Sequence, residues 1–259
     1  MRPSVDAELL AMMARPVAGA GVRNPFATTW DFLSRAVWTR DEASGRIRKF
    51  PGLDVRHNGQ PRFAYLKYLT DHRLDYTVAF YEKSRRMMMT WLLIGIYLDD
   101  IMRNSTHTNA IASDKLEKSA YLLGGDRMQF VYEHIPPVSD QRYNILRHQI
   151  DDKATLERFK EDLWPDKPPV IFEGKQGQGW KTARCEETSS MHMAMACGES
   201  QMQQYTFTNV LMDEFPRWKW QEESWRNIQP TIQGGGHVDG ICTAELGSYA
   251  YDLLYDRGE

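Results

Sequence analysis

The chain has 259 residues, 42% of them hydrophobic and 26% charged, with a formal net charge of -3 at pH 7. This length allows one large α/β domain or two small ones, and the composition is that of an ordinary globular protein. The charge balance excludes a protein that holds nucleic acid by bulk positive charge, so such a partner must meet a local basic patch or an assembled ring. Three scattered cysteines exclude a disulfide framework and a zinc knuckle. The most apolar segment, 92–98, is too short to span a membrane.

The first half of the chain mixes helical and strand patterns. Residues 24–40 predict a helix, because large apolar side chains recur there near helical spacing. The charged, turn-rich segment 39–62 is expected to be exposed. A short helix is predicted over 63–69, a short strand over 77–81 and a buried helix over 90–102.

The second half alternates more regularly. A strand is predicted over 108–113, and then a helix that Asp114 caps and that ends before Pro136 and Pro137. Further strands are predicted over 189–196, which includes a core histidine, His192, and over 205–214. A helix over 216–233 and a strand after the glycines 234–236 complete the pattern. The alternation predicts an α/β fold with a mostly parallel central sheet flanked by helices.

The first candidate site is the basic stretch "YEKSRRMMMTW", which joins the strand 77–81 to the helix 90–102. A strand that turns into a helix presents backbone N–H groups and the positive end of the helix dipole to an anion. Lys83 would reach terminal phosphates, and Thr90 would offer its hydroxyl to a magnesium ion, as the Ser/Thr of a P-loop does. Because glycines are missing from 87–89, a plain basic turn before a core helix is the alternative interpretation.

The second candidate is "TNVLMDEFPRW", in which an apolar run leads into Asp213 and Glu214. An acidic pair at the carboxyl end of a central parallel strand faces the ligand crevice of such sheets. Asp213 would hold the metal, and Glu214 would orient or deprotonate an attacking water. The alternative is that both acids cap the following helix.

The third candidate is "ICTAELGSYAYDL", where Thr243 and Glu245 would lie beside the same crevice. Alone, this stretch is equally compatible with a plain turn from strand to helix. A basic turn first, then a strand ending in Asp-Glu, and then a polar strand end is, however, the layout of a nucleotide hydrolase core.

In these stretches the sequence resembles the ATPase domain of the large terminase subunit, the packaging motor of tailed double-stranded DNA phages. "KSRRMMMTW" is similar to that family's deviant Walker A, which carries its lysine at the front of the loop. "GESQMQQYTFTNVLMDE" is similar to the stretch that runs into Walker B, and "TAELGSYAYDL" to the coupling motif. The resemblance covers residue 50 to the end of the chain and implies a P-loop NTPase core of the ASCE/RecA-like type.

The resemblance also implies ATP and Mg²⁺ as cofactors and assigns roles to single residues. The residues that would contact the nucleotide are Lys83, Ser84, Arg85, Arg86, Thr90, Thr243 and Glu245. Thr90 and Asp213 would hold Mg²⁺, and the catalytic residues would be Glu214, Arg85 and Arg86. Gln203 stands where relatives often carry an arginine ahead of Walker B, so an arginine finger acting between subunits is not expected there.

The expected organisation is an N-terminal helical extension and charged linker over 1–50 and an ATPase core over 51–259, without the nuclease domain that usually follows in the family. The implied partners are double-stranded DNA, a portal protein, a small terminase subunit and further copies of the chain in a ring, in the host cytoplasm and without a membrane. Two alternatives stay open: a helicase or other nucleic-acid translocase, and a nucleotide-binding assembly module with a degenerate loop.

Overall fold

The computed structural model describes most of the chain, namely residues 24–40, 45–50, 56–57, 60–82, 88–136, 144, 147–148, 164, 166–174, 181–198, 202, 205–243 and 248–255. In the described residues the strands are β1 Trp38–Arg40, β2 Ile47–Lys49, β3 Arg56–His57, β4 Gln60–Pro61, β5 Val78–Glu82, β6 Thr108–Ser113, β7 Val170–Glu173, β8 Thr182–Cys185, β9 Ser190–Ala196, β10 Asn209–Met212 and β11 His237–Cys242. The α-helices are α1 Thr29–Ala36, α2 Arg62–His72, α3 Met89–Arg103, α4 Leu116–Leu123, α5 Met128–Glu133, α6 Gln221–Gln233 and α7 Tyr249–Tyr255. Short 3-10 turns occupy Arg73–Asp75 and Phe215–Arg217.

A seven-stranded sheet forms the centre of the molecule, with the strand order β5-β11-β10-β6-β9-β8-β7. The first five strands in this order run parallel to one another. The last two, β8 and β7, add an antiparallel extension beside β9. The mostly parallel α/β sheet that the sequence predicts is therefore confirmed.

Both faces of the sheet are covered, as the side-chain alternation along the strands requires. Leu211 of β10 packs into a core shared with α1, α3 and α5. Its neighbours Val210 and Met212 pack into a second core, which α6 and α7 cover. Since successive residues of a strand point to opposite faces, these two cores lie on opposite sides of one sheet.

The longest helix among the described residues, α3, is apolar almost all round because it lies between the sheet and an outer layer of helices. All but three of its fifteen residues are buried. Gly95 lets α1 approach closely, since a Cβ at that position would stand 2.5 Å from Leu33 Cδ2. The described residues of the segment before residue 50 thus share a core with the main sheet.

Two local predictions were wrong. The helix predicted over 24–40 ends at Ala36, and the chain then forms β1, which pairs with β2 in a small sheet of its own. Asp114 does not cap α4: the cap position is Lys115, and the Asp114 carboxylate instead pairs with Lys118 at 2.8 Å. The extension β7–β8 falls partly in the polar middle of the chain, where the sequence carries no clear pattern.

Candidate functional site

The carboxyl ends of β5, β6, β10 and β11 meet at one edge of the sheet, because these strands are parallel neighbours. In open α/β sheets this edge is where ligands bind. It carries the start of α3 after β5, the Asp213–Glu214 pair after β10 and Thr243 after β11. The sheet thus brings together the described members of all three predicted stretches.

The start of α3 has no side-chain cap and no acidic residue in its first turn. Met88, at the cap position, adopts a left-handed conformation (φ 60°, ψ 11°) and provides no side-chain cap. The first turn of this fifteen-residue helix carries no acidic residue, so its N–H groups and the positive end of its dipole are not neutralised by its own side chains. Thr90 is half-buried in that turn. Lys83, Ser84, Arg85 and Arg86 lie outside the described residues.

Asp213 is fixed through its backbone at the end of β10. Its N–H donates to the carbonyl of Ala112 on β6 at 2.9 Å, and its carbonyl accepts the indole N–H of Trp218 at 2.9 Å. Trp218 is itself buried. The strand that precedes Asp213 is buried at all four positions, so the backbone that carries this carboxylate is held in place.

Glu214 adopts a left-handed backbone conformation (φ 52°, ψ 43°), which is uncommon for a residue other than glycine. Its side chain makes no cap hydrogen bond, and its Oε2 pairs with Arg217 Nη1 at 3.1 Å. The next α-helix begins only at Gln221. The two acids therefore do not cap that helix, which was the alternative interpretation of this stretch.

The third stretch is only partly described. Strand β11 is buried along its whole length and ends at Cys242, so Thr243 emerges at the same edge, half-buried. Glu245 lies outside the described residues. The chain resumes at Ser248 and forms α7, whose Tyr255 hydroxyl donates to Glu82 at the end of β5 at 2.7 Å.

A buried ionic cluster that the sequence did not predict ties β5 to β11. Asp239, fully buried on β11, accepts hydrogen bonds from Arg73 Nε at 2.8 Å, the Tyr81 hydroxyl at 2.9 Å and His237 Nε2 at 3.0 Å. Burial alone would raise the pKa of Asp239, but Arg73 and His237 lower it to about 2. The only signal in the sequence was an aspartate inside an apolar strand. Its partner Arg73 stands 166 residues away.

A second polar group lies on the same face of the sheet, under the end of α3. The amides of Asn109 and Asn209 are paired at 2.9 Å, and Asn109 donates to Asp100 Oδ2 at 2.8 Å. His107 contacts the same carboxylate at 3.1 Å. Although burial opposes it, the charge and hydrogen bond of His107 and the hydrogen bonds from Asn109 and Asn104 lower the pKa of Asp100.

His192 is confirmed as a core histidine. It is fully buried on β9, and its Nε2–H donates to the carbonyl of Tyr97 at 2.7 Å. Burial lowers the pKa of His192 to about 4, although the hydrogen bond to Tyr97 and the nearby Asp100 carboxylate favour the charged ring. The residue stays uncharged at neutral pH.

The donors at the strand edge suit a magnesium ion that is shared with a phosphate. Thr90 and Asp213 offer a hydroxyl and a carboxylate, and Mg²⁺ prefers oxygen ligands, often one or two from protein with the rest from phosphate and water. Among the described residues there is no group of three or more His, Cys, Asp or Glu side chains placed to hold a metal.

No described helix is long and apolar enough to cross a bilayer.

Comparison with known proteins gives a match at the level of the fold. No protein-family model and no curated protein sequence matches the chain. Among solved structures, the large terminase of bacteriophage HK97 matches 88% of this chain over 40% of its own length, with a TM-score of 0.50 and 11% sequence identity. Two further matches are the ATPase domain of the Thermus phage P74-26 large terminase (71% of this chain and 64% of that one, TM-score 0.38, 10% identity) and the large terminase of the thermophilic phage D6E in complex with ADP (70% and 38%, TM-score 0.39, 11% identity).

The match to the HK97 large terminase shows a shared fold and no more. The chain shares that fold, so the α/β fold with a mostly parallel sheet that the sequence predicts agrees with this match. The chain spans less than half the length of that terminase.

Proposed function

We propose that this chain is the ATP-hydrolysing motor domain of a phage DNA-packaging terminase and moves double-stranded DNA into a procapsid. One observation supports the proposal. The start of α3, which has no side-chain cap, and the Asp213–Glu214 pair lie at the same edge of the sheet, with β11 between the strands that lead to them. A phosphate at the helix start and a carboxylate beside it are the two parts that nucleotide hydrolysis needs.

The proposed roles follow from that arrangement. The first-turn N–H groups of α3 bind the phosphates together with Lys83, Ser84, Arg85 and Arg86. Thr90 and Asp213 hold Mg²⁺, which when bound neutralises charge on the phosphate oxygens. Glu214 orients a water against the terminal phosphate and accepts its proton. Arg85 and Arg86 stabilise the charge that develops on the phosphate.

The coupling role is assigned to the strand between these two parts. Thr243 and Glu245, at the end of β11, would sense the nucleotide. Because β11 pairs with β5 on one side and with β10 on the other, a shift of its end would displace the ends of both neighbouring strands. We further propose a ring of copies in the host cytoplasm, acting with a portal protein and a small terminase subunit.

One observation favours a second candidate, a nucleotide-binding assembly module that does not hydrolyse. Met88 holds the left-handed conformation in which glycine is ordinarily found, and its side chain packs against the core, so the turn lacks the glycine that a phosphate loop usually has there. A helicase or other translocase would keep the chemistry and differ in its nucleic acid.

Phosphate release from ATP with Mg²⁺ separates these candidates. The packaging motor is expected to release phosphate and to be stimulated more by duplex than by single-stranded DNA. Stronger stimulation by single strands would favour the helicase, and ATP binding without phosphate release would favour the assembly module.

The lysine assignment has a test of its own. Lys83→Ala should weaken ATP binding by about 1.5–3 kcal/mol, the contribution of a charge-assisted hydrogen bond. Arg86→Ala is the matched comparison, because it removes one positive charge from the same turn. If Arg86→Ala weakens binding and Lys83→Ala does not, the phosphate-binding cation has been assigned wrongly.

A further inference from the structure

Arg73 joins four elements of the fold at one buried point. It lies in the 3-10 turn just before β5, and only 7% of its side chain is exposed. Its guanidinium donates to the Asp239 carboxylate on β11, from Nε at 2.8 Å and from Nη2 at 2.7 Å. Nη2 also donates to the side-chain oxygen of Asn209 on β10 at 3.3 Å, and the centre of the Tyr97 ring on α3 lies 5.3 Å from the guanidinium carbon. One side chain thus holds the approach to β5, the strands β10 and β11 and the helix α3 together.

The polar contacts continue on both sides of Arg73. His237, the first residue of β11, lies with Nε2 3.0 Å from Asp239 and with Nδ1 2.8 Å from the carbonyl of Tyr76, just before β5. On the other side, the amide of Asn209 donates to that of Asn109 on β6 at 2.9 Å. Polar side chains therefore cross β11, β10 and β6 near the residues where these strands begin.

Apolar side chains would be enough to hold this part of the sheet together. Leu211, which stands opposite Asp239 in the register of β10 and β11, and Ile241 on the same face are fully buried in the apolar core. A buried ion pair loses its hydration, so neutral residues of similar volume in its place often leave stability unchanged or raise it. The pair does specify position, because a shifted strand would leave two buried charges without partners.

Both strands that Arg73 holds lead to the ligand edge of the sheet. Asp213 follows Asn209 by four positions, and Thr243 follows Asp239 by four positions. Each residue of an extended strand adds a fixed length of about 3.3 Å, so a shift at the start of a strand is carried to its end. The contacts at the start of β10 and β11 therefore decide how far their ends project at that edge.

We infer that Arg73 is a positioning residue for hydrolysis. Through Asp239 and Asn209 it sets the ends of β10 and β11, and with them the Asp213–Glu214 pair, against the start of α3. Its effect on hydrolysis rests on the proposed function. Since Arg73 lies toward the opposite end of the strands from the nucleotide, it acts only through the residues that it holds.

The kinetic test removes both charges at once, in Arg73→Met/Asp239→Asn, which leaves Tyr81 and His237 an oxygen to contact. This variant should unfold at the same urea concentration as the parent or at a higher one, and its KM for ATP should be unchanged. Its kcat should fall by about ten- to hundredfold, because a misplacement of about 1 Å can cost that much.

The matched control is Asp99→Asn/Arg103→Met. It also removes an ion pair with a buried carboxylate, but both members lie on α3 and their further contacts are with Thr29 and Phe26, on the side of α1. Its kcat should stay at the parental value. An unchanged kcat in Arg73→Met/Asp239→Asn would overturn the inference, and so would an equal fall in the control. Failure of the first variant to fold would also overturn it, because the pair would then serve stability.

Amide hydrogen exchange tests the positioning without hydrolysis. The Asp213 N–H, which donates to Ala112 on β6, and the last amides of β11 should exchange about ten- to hundredfold faster in Arg73→Met/Asp239→Asn, the equivalent of one charge-assisted hydrogen bond. Amides of α6 should keep their parental rates. Unchanged exchange at both strand ends would reject the role of Arg73. Faster exchange there in a protein whose parent releases no phosphate from ATP would instead count against the proposed function.

Discussion

Two carboxylates on neighbouring strands have opposite surroundings and correspondingly different roles. Asp239 is fully buried and accepts hydrogen bonds from Arg73, Tyr81 and His237, so it stays ionised and fixed. Glu214 is partly exposed and pairs with Arg217, which is itself exposed. A buried charge with several partners anchors two strands, whereas a half-exposed one can exchange partners during a reaction.

The same contrast explains what the sequence could predict at the level of residues. Glu214 was found because it follows Asp213 after an apolar run, a purely local pattern. Asp239 was missed because its meaning depends on Arg73, which reaches it only after the sheet has formed. Arg217 was missed because its contact depends on the left-handed turn at Glu214.

The folded protein should lose stability at acidic pH because of His192. Its pKa falls from 6.5 to about 4 on folding because the ring is buried, so the unfolded chain binds a proton in a pH range where the folded protein does not. Stability is therefore lost as the pH falls from about 7 toward 4, by about 2 kcal/mol between pH 7 and pH 5. Urea unfolding of the unsubstituted protein and of His192→Gln at both pH values measures this. His192→Gln should lose clearly less stability than the parent, and an equal loss in both would contradict the assignment.

At the level of elements, the sequence predicted best where a pattern is local and repeated. The predicted strand 108–113 coincides with β6, and the predicted helix 90–102 differs from α3 by one residue at each end. Periodicity failed over 24–40, because the apolar residues Val37 and Trp38 continue the helical spacing while the chain leaves the helix to form β1. The antiparallel extension could not be predicted, since edge pairing is decided by tertiary contacts.

The contact between β5 and β11 gives a prediction at this scale. Gly240 on β11 lies directly beside Phe80 on β5, and a Cβ on Gly240 would stand 2.3 Å from that ring. Phe80 cannot move freely, because its ring packs against Phe215 and Trp225 on the same face. Gly240→Ala should therefore cost about 1–3 kcal/mol of stability, the usual cost of overpacking a core.

Thermal or urea unfolding checks this value. Gly125→Ala is the matched control, because a Cβ at Gly125 meets no atom within 4 Å. An equal effect in both variants would mean that the cost belongs to glycine replacement as such and not to the contact between β5 and β11.

At the scale of the whole molecule, the proposed ring raises the question of which subunit supplies the activating cation. Gln203 is neutral, so the duty is expected to fall on Arg85 or Arg86 of the same subunit. An arginine of this kind contributes about 10³–10⁵ in turnover, so its removal should nearly abolish hydrolysis and leave ATP affinity largely intact.

Mixing Arg85→Ala subunits with Glu214→Gln subunits distinguishes the two arrangements. If Arg85 acts within its own subunit, no mixture recovers activity, because every site lacks either the arginine or the base. Recovered phosphate release in the mixture would show that Arg85 reaches the neighbouring site, contrary to the expectation.

The central claim is that this fold hydrolyses ATP with Glu214 as the base. Its most direct test measures ATP binding and phosphate release side by side for the unsubstituted protein and Glu214→Gln, with Glu222→Gln on α6 as a matched exposed control. The account predicts that Glu214→Gln binds ATP as the parent does and releases phosphate about 10²–10⁴ times more slowly, since only the base is removed. Phosphate release at the parental rate in Glu214→Gln would contradict it.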